Sequence, residues 1–370
     1  MIKRILKWTF LLLLLGLFLW FEYAYWTSTN DCDRKDAASP TNPVKAVIYC
    51  EYGLANLKVE NVEKPVPTDD QVLVKVRAAS INPYDWHFIE GTPKLMRGMI
   101  GGLRKPKETR LGVDFAGTVE AVGKNVTQFK VGDEVFGGRD GAFGEYVTPK
   151  ADRAIALKPA NVTFEEAAAV NIAGVTALQG LRDHGQVQPG QKVLINGASG
   201  GVGTFAVQIA KNMGAEVTGV CSTRNVDLVK SLGADHVIDY TKEDFTKGDQ
   251  KYDVLLDNVG TTHSLSECRR VLTPHGKYVL VGGGGASEQG FFGALKLPIK
   301  AMIYSKFVNQ KMGMMMAQLK QTDLQWFAEQ MQNGKIKAVI DRTYKLDEIQ
   351  QAVAYVEQGH ARGKVVITVE

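Results

Sequence analysis

Between Lys192 and Gly283 the chain repeats one pattern, in which a short apolar run is followed by a turn and then by a helical stretch. The runs "KVLING", "EVTGVCS", "HVIDY", "YDVLLDNVG" and "GKYVLVGG" are apolar throughout, while "VGTFAVQIAKNMG", "NVDLVKSLG" and "SLSECRRVL" between them are amphipathic. Strands without polar alternation are buried on both faces, which requires helices above and below a parallel sheet. The pattern predicts a doubly wound α/β unit.

The first strand of that unit runs directly into "GASGGVG". Glycines there let backbone N–H groups approach a phosphate, and the next helix directs the positive end of its dipole at the same anion. The usual G-x-G-x-x-G frame occurs with alanine first, as Ala198, Gly200 and Gly203, with further glycines at Gly197 and Gly201. Alone it fits any tight turn; after the first strand of a wound unit it reads as a dinucleotide cradle. An acid about twenty residues further on would bind the ribose of NAD. This chain has "VCSTRN" instead, with Cys221 at that place and then Ser222, Thr223 and Arg224. Hydroxyls and a guanidinium suit a 2′-phosphate, so NADPH is the expected cofactor. A solvated Arg224 is the alternative reading.

At 370 residues, 45% hydrophobic and 23% charged, the chain is long enough for two globular domains. A net charge of +4, without a basic tract interleaved with aromatics, excludes a nucleic-acid partner. Cys32, Cys50, Cys221 and Cys268 form no C-x-x-C pair and no zinc spacing, and are expected as free thiols.

The start, "MIKRILKWTFLLLLLGLFLWFEYAYW", has Lys3, Arg4 and Lys7 on one flank of an apolar run and Trp20, Phe21, Tyr23, Tyr25 and Trp26 on the other. Cations and an aromatic belt suit the two interfaces of a bilayer, so residues 1–26 are expected as one retained transmembrane helix. A cleavable signal peptide is the alternative, with bulky residues where the cut needs small ones. Residues 27–43 are polar, carry Pro40 and Pro43, and read as a stalk. The positive-inside rule sends the following domain away from the cytosol, whereas the need for renewed NADPH calls for a cytosol-facing one. The cofactor requirement is given the greater weight. The N-x-T triplets at Asn125 and Asn161 do not decide it.

From Val44 short β-rich runs divided by Gly, Pro and Asp predict a barrel-like domain. Near Thr163 the texture turns helical, with Thr163 and Glu166 spaced as a capping box.

"SINPYDW", "LGVDFAGTVEAVGKNV", "VGDEVFG", "GAFGEYV", "NGASGGVGTFAVQIAK", "LGADHVIDY", "DNVG" and "GHARGKVVI" occur in this order. From Val44 to Glu370 the chain therefore resembles the medium-chain dehydrogenase/reductase superfamily, in its zinc-free, zeta-crystallin-like quinone oxidoreductase branch, with similarity to the reticulon-interacting NADPH oxidoreductases. The resemblance implies a GroES-like β-rich domain built from residues 44–165 and 312–370, with a Rossmann NADPH-binding domain, 166–311, inserted between. Where zinc-dependent members carry a Cys ligand this chain has Asn82, and where they carry Gly-His-Glu it has Gly112, Val113 and Asp114. No metal is expected, and without a Lewis acid ordinary alcohol oxidation is not expected either.

The resemblance also assigns residues. Asn82 becomes an amide donor near the nicotinamide, or merely fixes the turn before Pro83. Thr176, in "AGVTAL", opens toward the cofactor or back-bonds within its helix. Ser199, Gly200, Gly201, Val202 and Gly203 line the pyrophosphate, and Ser222, Arg224 and Tyr240 the adenine side. Asn258, Val259, Gly282 and Gly283 lie at the nicotinamide half, and His360, Ala361 and Arg362 return from the last segment. Tyr84 and Asp85 are assigned no chemistry. The expected activity is hydride transfer from NADPH to a quinone or α,β-unsaturated carbonyl, and the alternative is a membrane-tethered NADPH-binding module without turnover. "PKLMRGMIGGLRKPKETR" reads as a solvated loop, a pocket cover or a membrane contact. The methionine-rich run "FFGALKLPIKAMIYSKFVNQKMGMMM" reads as core, pocket wall or the face of a homodimer.

Overall fold

The apolar runs become strands, and their order along the chain decides which lobe each one joins. In the computed structural model, residues 8, 15–16, 19–20, 22–23, 25–33, 39–92, 97, 102–260, 262–281 and 293–369 are described. A hairpin of β1 (Pro43–Tyr49) and β2 (Leu57–Glu63) precedes β3 (Val72–Ile81), α1 (Pro83–Glu90), β4 (Asp114–Val122), β5 (Glu134–Gly138), β6 (Tyr146–Val147) and β7 (Ile155–Leu157). Helices α2 (Phe164–Ala168) and α3 (Asn171–Gln179) lead into β8 (Lys192–Asn196), α4 (Gly201–Asn212), β9 (Glu216–Cys221), α5 (Val226–Ser231) and β10 (His236–Asp239). Then come β11 (Tyr252–Asp257), α6 (Leu265–Arg270), β12 (Leu272–Leu280), α7 (Gly293–Tyr304), β13 (Lys311–Met314), α8 (Gln321–Gln332), β14 (Ile340–Lys345), α9 (Ile349–Glu357) and β15 (Lys364–Thr368).

Strands β8 to β13 form one sheet in the order β10-β9-β8-β11-β12-β13, with every pairing parallel. The order reverses between β8 and β11, and open sheets of this kind bind ligands in the crevice at the carboxyl ends of such strands. Leu194, Ile195, Val217, Leu255 and Leu256 are all buried, as the unalternating runs require. The expected boundary at residue 311 falls on the first residue of β13, which pairs with β12, so the inserted sheet extends through Met314. "KMGM" lacks the β-branched residues that mark a strand, and its pairing is set by the neighbour.

The β-rich lobe is a sheet in the order β14-β15-β3-β4-β5-β7, with β6 also on β3. Because β15 pairs antiparallel with β3, this lobe is built from both parts of the chain that flank the insertion. The capping box at Thr163 forms as spaced: its hydroxyl accepts from Glu166 N–H at 3.1 Å, and Glu166 accepts from Thr163 N–H at 2.9 Å.

Two expectations about the first residues meet different outcomes. Cys32 and Cys50, expected as free thiols, are joined in a disulfide, while Cys221 and Cys268 are free and buried. Their spacing gave no sign of pairing, since a polar segment meets the residue after β1 only through the fold. That segment is docked: Asn30 Nδ2 donates to the carbonyls of Cys50 at 2.9 Å and Pro106 at 3.0 Å, Lys105 pairs with Asp33, and Arg104 lies 5.4 Å over the Trp26 ring. As for the membrane, no helix among the described residues is long and apolar enough to cross one. Most of residues 1–26 lie outside the described set, as do 93–96 and 98–101 of the basic loop and Gly282 and Gly283.

Candidate active site

The glycine turn is shaped by two opposite demands on space. At Gly203 a Cβ would lie 2.1 Å from the Gly197 carbonyl oxygen and 2.7 Å from Ala198 backbone, so only glycine lets the first turn of α4 close against the end of β8. At Gly200 the nearest atom to such a Cβ is 3.6 Å away, which leaves room above the turn. Gly197 takes a φ of 77°, the left-handed region in which glycine alone is unstrained. Helix α4 runs twelve residues from Gly201, with no acid in its first turn and no side-chain cap. Its first N–H groups are thus left uncapped by any side chain, an arrangement that suits an anion. Ser199, Gly200, Gly201 and Val202 are partly exposed at this turn.

At the end of β9, where the adenine contacts were expected, the structure adds a residue that was not expected. Asn225 is buried, and its Nδ2 donates to Ser199 Oγ at 3.0 Å and Ser222 Oγ at 3.1 Å, tying the phosphate turn to the end of β9. Its Oδ1 is buried without a partner, an acceptor available to a ligand hydroxyl. Thr223 is engaged elsewhere, since its hydroxyl donates to Asp239 at 2.6 Å. The hydroxyls of Thr223 and Thr241 hold the Asp239 carboxyl below the usual carboxylate range. Arg224 is exposed and donates to the His360 carbonyl at 2.8 Å, and Tyr240, also exposed, follows β10. Ser222 and Tyr240 thus follow the carboxyl ends of β9 and β10, with Arg224 and His360 joined to one another by that bond.

At the switch point Asp257 ends β11 buried and saturated. Its Oδ1 accepts from Asn196 Nδ2 at 2.8 Å and from the N–H groups of Val259 and Gly260 at 3.1 and 3.0 Å, and its Oδ2 accepts from the Tyr278 hydroxyl at 2.8 Å. This fixes the loop in which Asn258 donates to Asn196 O at 3.0 Å while its Oδ1 is buried and unpartnered. Val259 is partly exposed beside it. The returning segment also reaches the turn. Gly363 N–H donates to Ser199 O at 2.9 Å, and Arg362 N–H to Asp341 at 3.0 Å, with Ala361 packed against the β-rich core. Thr176 is buried on α3, whose Ala173 stands beside the first turn of α4.

The β-rich lobe contributes a buried polar cluster. Pro83 in the first turn, Asn82 before it and Asp85 in reach of the Asn82 N–H at 2.7 Å start α1 at this point. Asn82 is 2% exposed. Its Nδ2 donates to Asp114 Oδ2 at 2.9 Å and its Oδ1 accepts from Lys364 Nζ, so its amide, expected as a donor near the nicotinamide, is engaged within the protein. Asp114 accepts further from Ser80 Oγ at 2.9 Å, Asn171 Nδ2 at 2.9 Å and Ile172 N–H at 3.1 Å. Asp85 is buried with Oδ1 unpartnered, and burial pushes its carboxyl up to about 7. The Asn82 N–H and the Lys364 charge oppose that rise, and the Asp114 charge adds to it.

A GroES-like lobe with a six-stranded dinucleotide sheet inserted in it, and a glycine turn at the seam, defines a nicotinamide-dependent oxidoreductase of the medium-chain type. Residues 68–159 match the alcohol dehydrogenase GroES-like domain family and residues 232–367 the zinc-binding dehydrogenase family. The chain is 35% identical over 351 residues to a 2-methylene-furan-3-one reductase of Solanum lycopersicum, covering 90% of this chain and 81% of that protein. It is 33% identical over 348 residues to the chloroplastic NADPH-dependent alkenal/one oxidoreductase of Arabidopsis thaliana, again covering 90% and 81%. Among solved structures the quinone oxidoreductase from Coxiella burnetii superposes with a TM-score of 0.77 at 29% identity, covering 89% of this chain and 100% of that one. The chain belongs to the medium-chain dehydrogenase/reductase superfamily.

Proposed function

We propose that this protein transfers hydride from NADPH to the electron-poor carbon of a quinone or an α,β-unsaturated carbonyl, without zinc. The observation that carries the reading is the open turn at Gly200 facing the buried Asn82–Asp114–Lys364 cluster across the Gly363 contact. Relatives named as an alkenal/one oxidoreductase, a furanone reductase and a quinone oxidoreductase support the acceptor class.

The bound nicotinamide supplies a hydride, and the acceptor takes it at carbon while the charge moves to its carbonyl oxygen and is quenched by a proton from water. The chain's part is to hold and orient. The N-terminus of α4 would hold the pyrophosphate, Asn225 Oδ1 and Ser222 the adenosine ribose, and Asn258 Oδ1 the nicotinamide amide. Zinc, which the family description implies, does not suit the residues present. Among the described residues no three His, Cys, Asp or Glu gather in a metal-sized cluster, and Asn82 and Asp114 already share the Lys364 ammonium. NADPH consumption against a panel of quinones and enones tests the proposal. Turnover with several of them and none with simple alcohols and NADP⁺ is expected; tight NADPH binding with no turnover on any acceptor would favour the binding-module reading.

The preference for NADPH rests on Arg224, which is exposed just past the end of β9. Arg224→Asp replaces a phosphate partner with a like charge, and is expected to weaken NADPH by about 10- to 100-fold and NADH by less than about threefold. Fluorescence titration with both cofactors reads the difference, and equal losses would place the 2′-phosphate elsewhere.

Attachment to a membrane through residues 1–26 belongs to the same reading, supported by their cationic and aromatic flanks. The Cys32–Cys50 bond is of a kind that oxidising compartments sustain, and it joins the charge rule in favouring a domain on the non-cytosolic side, against the weight given above to cofactor supply. Protease added to sealed cytosol-side-in vesicles should then digest the domain. Protection until the membrane is opened would restore the cytosolic assignment.

A further inference from the structure

We infer that Lys364 is a positioning residue, its Nζ fixing Asn82 and Asp114 while its stem braces the phosphate turn. The inference rests on the hydride-transfer reading of this site.

Lys364 opens β15 and is 3% exposed. A lysine so buried is tolerated only when its charge is matched and its three hydrogens are used. Its Nζ donates to Ile81 O at 2.9 Å and to Asn82 Oδ1, and lies 3.6 Å from Asp114 Oδ2. With two acceptors at hydrogen-bonding distance and the Asp114 carboxylate 3.6 Å away, the site offers an ammonium a counter-charge that opposes the lowering of its pKa by burial. Asp114 is the complementary anion: donors from Ser80, Asn82, Asn171 and Ile172 converge on its two oxygens, which leaves no acid proton to place. Asp85, the other ionisable group facing Lys364, is buried on the same side. Asn82, at the position where the resemblance puts a Cys ligand, is thereby joined to Asp114 through Lys364.

The other end of the side chain reaches the cofactor site. A Cβ placed on Gly201 would lie 3.1 Å from Lys364 Cδ, so the stem lies along the first turn of α4. The preceding residue, Gly363, bridges Gly200 and donates to Ser199 O. Two consecutive residues thus touch the phosphate turn, the end of β3, the start of α1 and the start of β4. Displacing the ammonium would release Asn82 and leave a buried carboxylate without its counter-charge. In the sequence, "GHARGKVVI" showed only a basic turn before a strand.

The test compares Lys364→Met, which keeps the stem and removes the charge, with the double variant Asp114→Asn/Lys364→Met, which removes both charges. Each is followed by melting temperature, NADPH affinity and steady-state rates with a quinone. Lys364→Met is expected to melt lower, bind NADPH about tenfold more weakly and lose about 10- to 100-fold in kcat. The double variant is expected to regain the melting temperature without regaining kcat or NADPH affinity. Recovery of all three in the double variant would reduce Lys364 to a stabilising ion pair and overturn the inference. Unchanged NADPH affinity and kcat in Lys364→Met would do the same, as would about one zinc per chain in the purified wild type, lost on substituting Asn82 or Asp114. If the wild type reduces no acceptor, the hydride-transfer reading fails, and the affinity and melting arms still decide the role of Lys364.

Discussion

Gly203→Val is expected to fold and yet to bind NADPH more than about 100-fold more weakly, a difference of about 3 kcal/mol. The glycine is required by what surrounds it rather than by its own backbone angle. Its Cα faces the Gly197 oxygen and the Ala198 backbone so closely that a Cβ would sit 2.1 and 2.7 Å from them, and these are backbone atoms that cannot turn aside as a flexible side chain would. Helix α4 would have to withdraw from the end of β8, carrying its free N–H groups out of register with the pyrophosphate. Gly313 is the control: nothing lies within 4 Å of a Cβ there, so Gly313→Ala should leave binding intact. Equilibrium titration of NADPH fluorescence measures both. Binding by Gly203→Val within about twofold of the wild type would show that this turn is not the cradle.

The second large effect is a pH dependence of stability centred on Asp85. Its carboxyl ionises near 3.8 when exposed in the unfolded chain and is pushed up to about 7 by burial in the folded one. Between those values the folded state holds a proton that the unfolded state has released, so stability falls as pH rises from about 4 to about 7 and then levels off. The fall amounts to roughly 2–4 kcal/mol, with Asp114 and Lys364 nearby deciding where in that range it lies. Asp85→Asn keeps an oxygen for the Asn82 N–H and removes the ionisation. Urea midpoints measured from pH 4 to 8 should decline in the wild type and stay nearly flat in the variant. Parallel curves would place the titrating group elsewhere.

What could be read in advance was whatever the chain expresses locally. Unalternating apolar runs announced the parallel sheet, the 197–203 glycines announced the turn, and Thr163 with Glu166 announced a helix start, because each depends on residues a few positions apart. The cluster at Asn82 depends instead on residues 80, 82, 114, 171 and 364 being brought together by strand order, and no periodicity signals that. Asn225 was hidden for a related reason: "STRN" shows which groups could meet a phosphate, but not that Thr223 would be drawn to Asp239 and leave Asn225 to join Ser199 to Ser222. Cys32 and Cys50 likewise meet across a docked segment whose hydrogen bonds run to residues about 20 and about 76 positions away.

The pairing of β15 with β3 gives the molecule an order of completion. Ile81, Ser80, Ala79 and Ala78 are matched to Val365, Val366, Ile367 and Thr368, so the edge of β3 waits for residues made after the whole insertion. The six-stranded sheet is drawn from one uninterrupted stretch, 192–314, and its strands are all available before that happens. During synthesis the inserted lobe can therefore close first, while the lobe that flanks it stands open with Asp114 lacking its counter-charge. A stop placed just before β15 would spare the six-stranded sheet and leave the β-rich lobe with an unpaired strand edge.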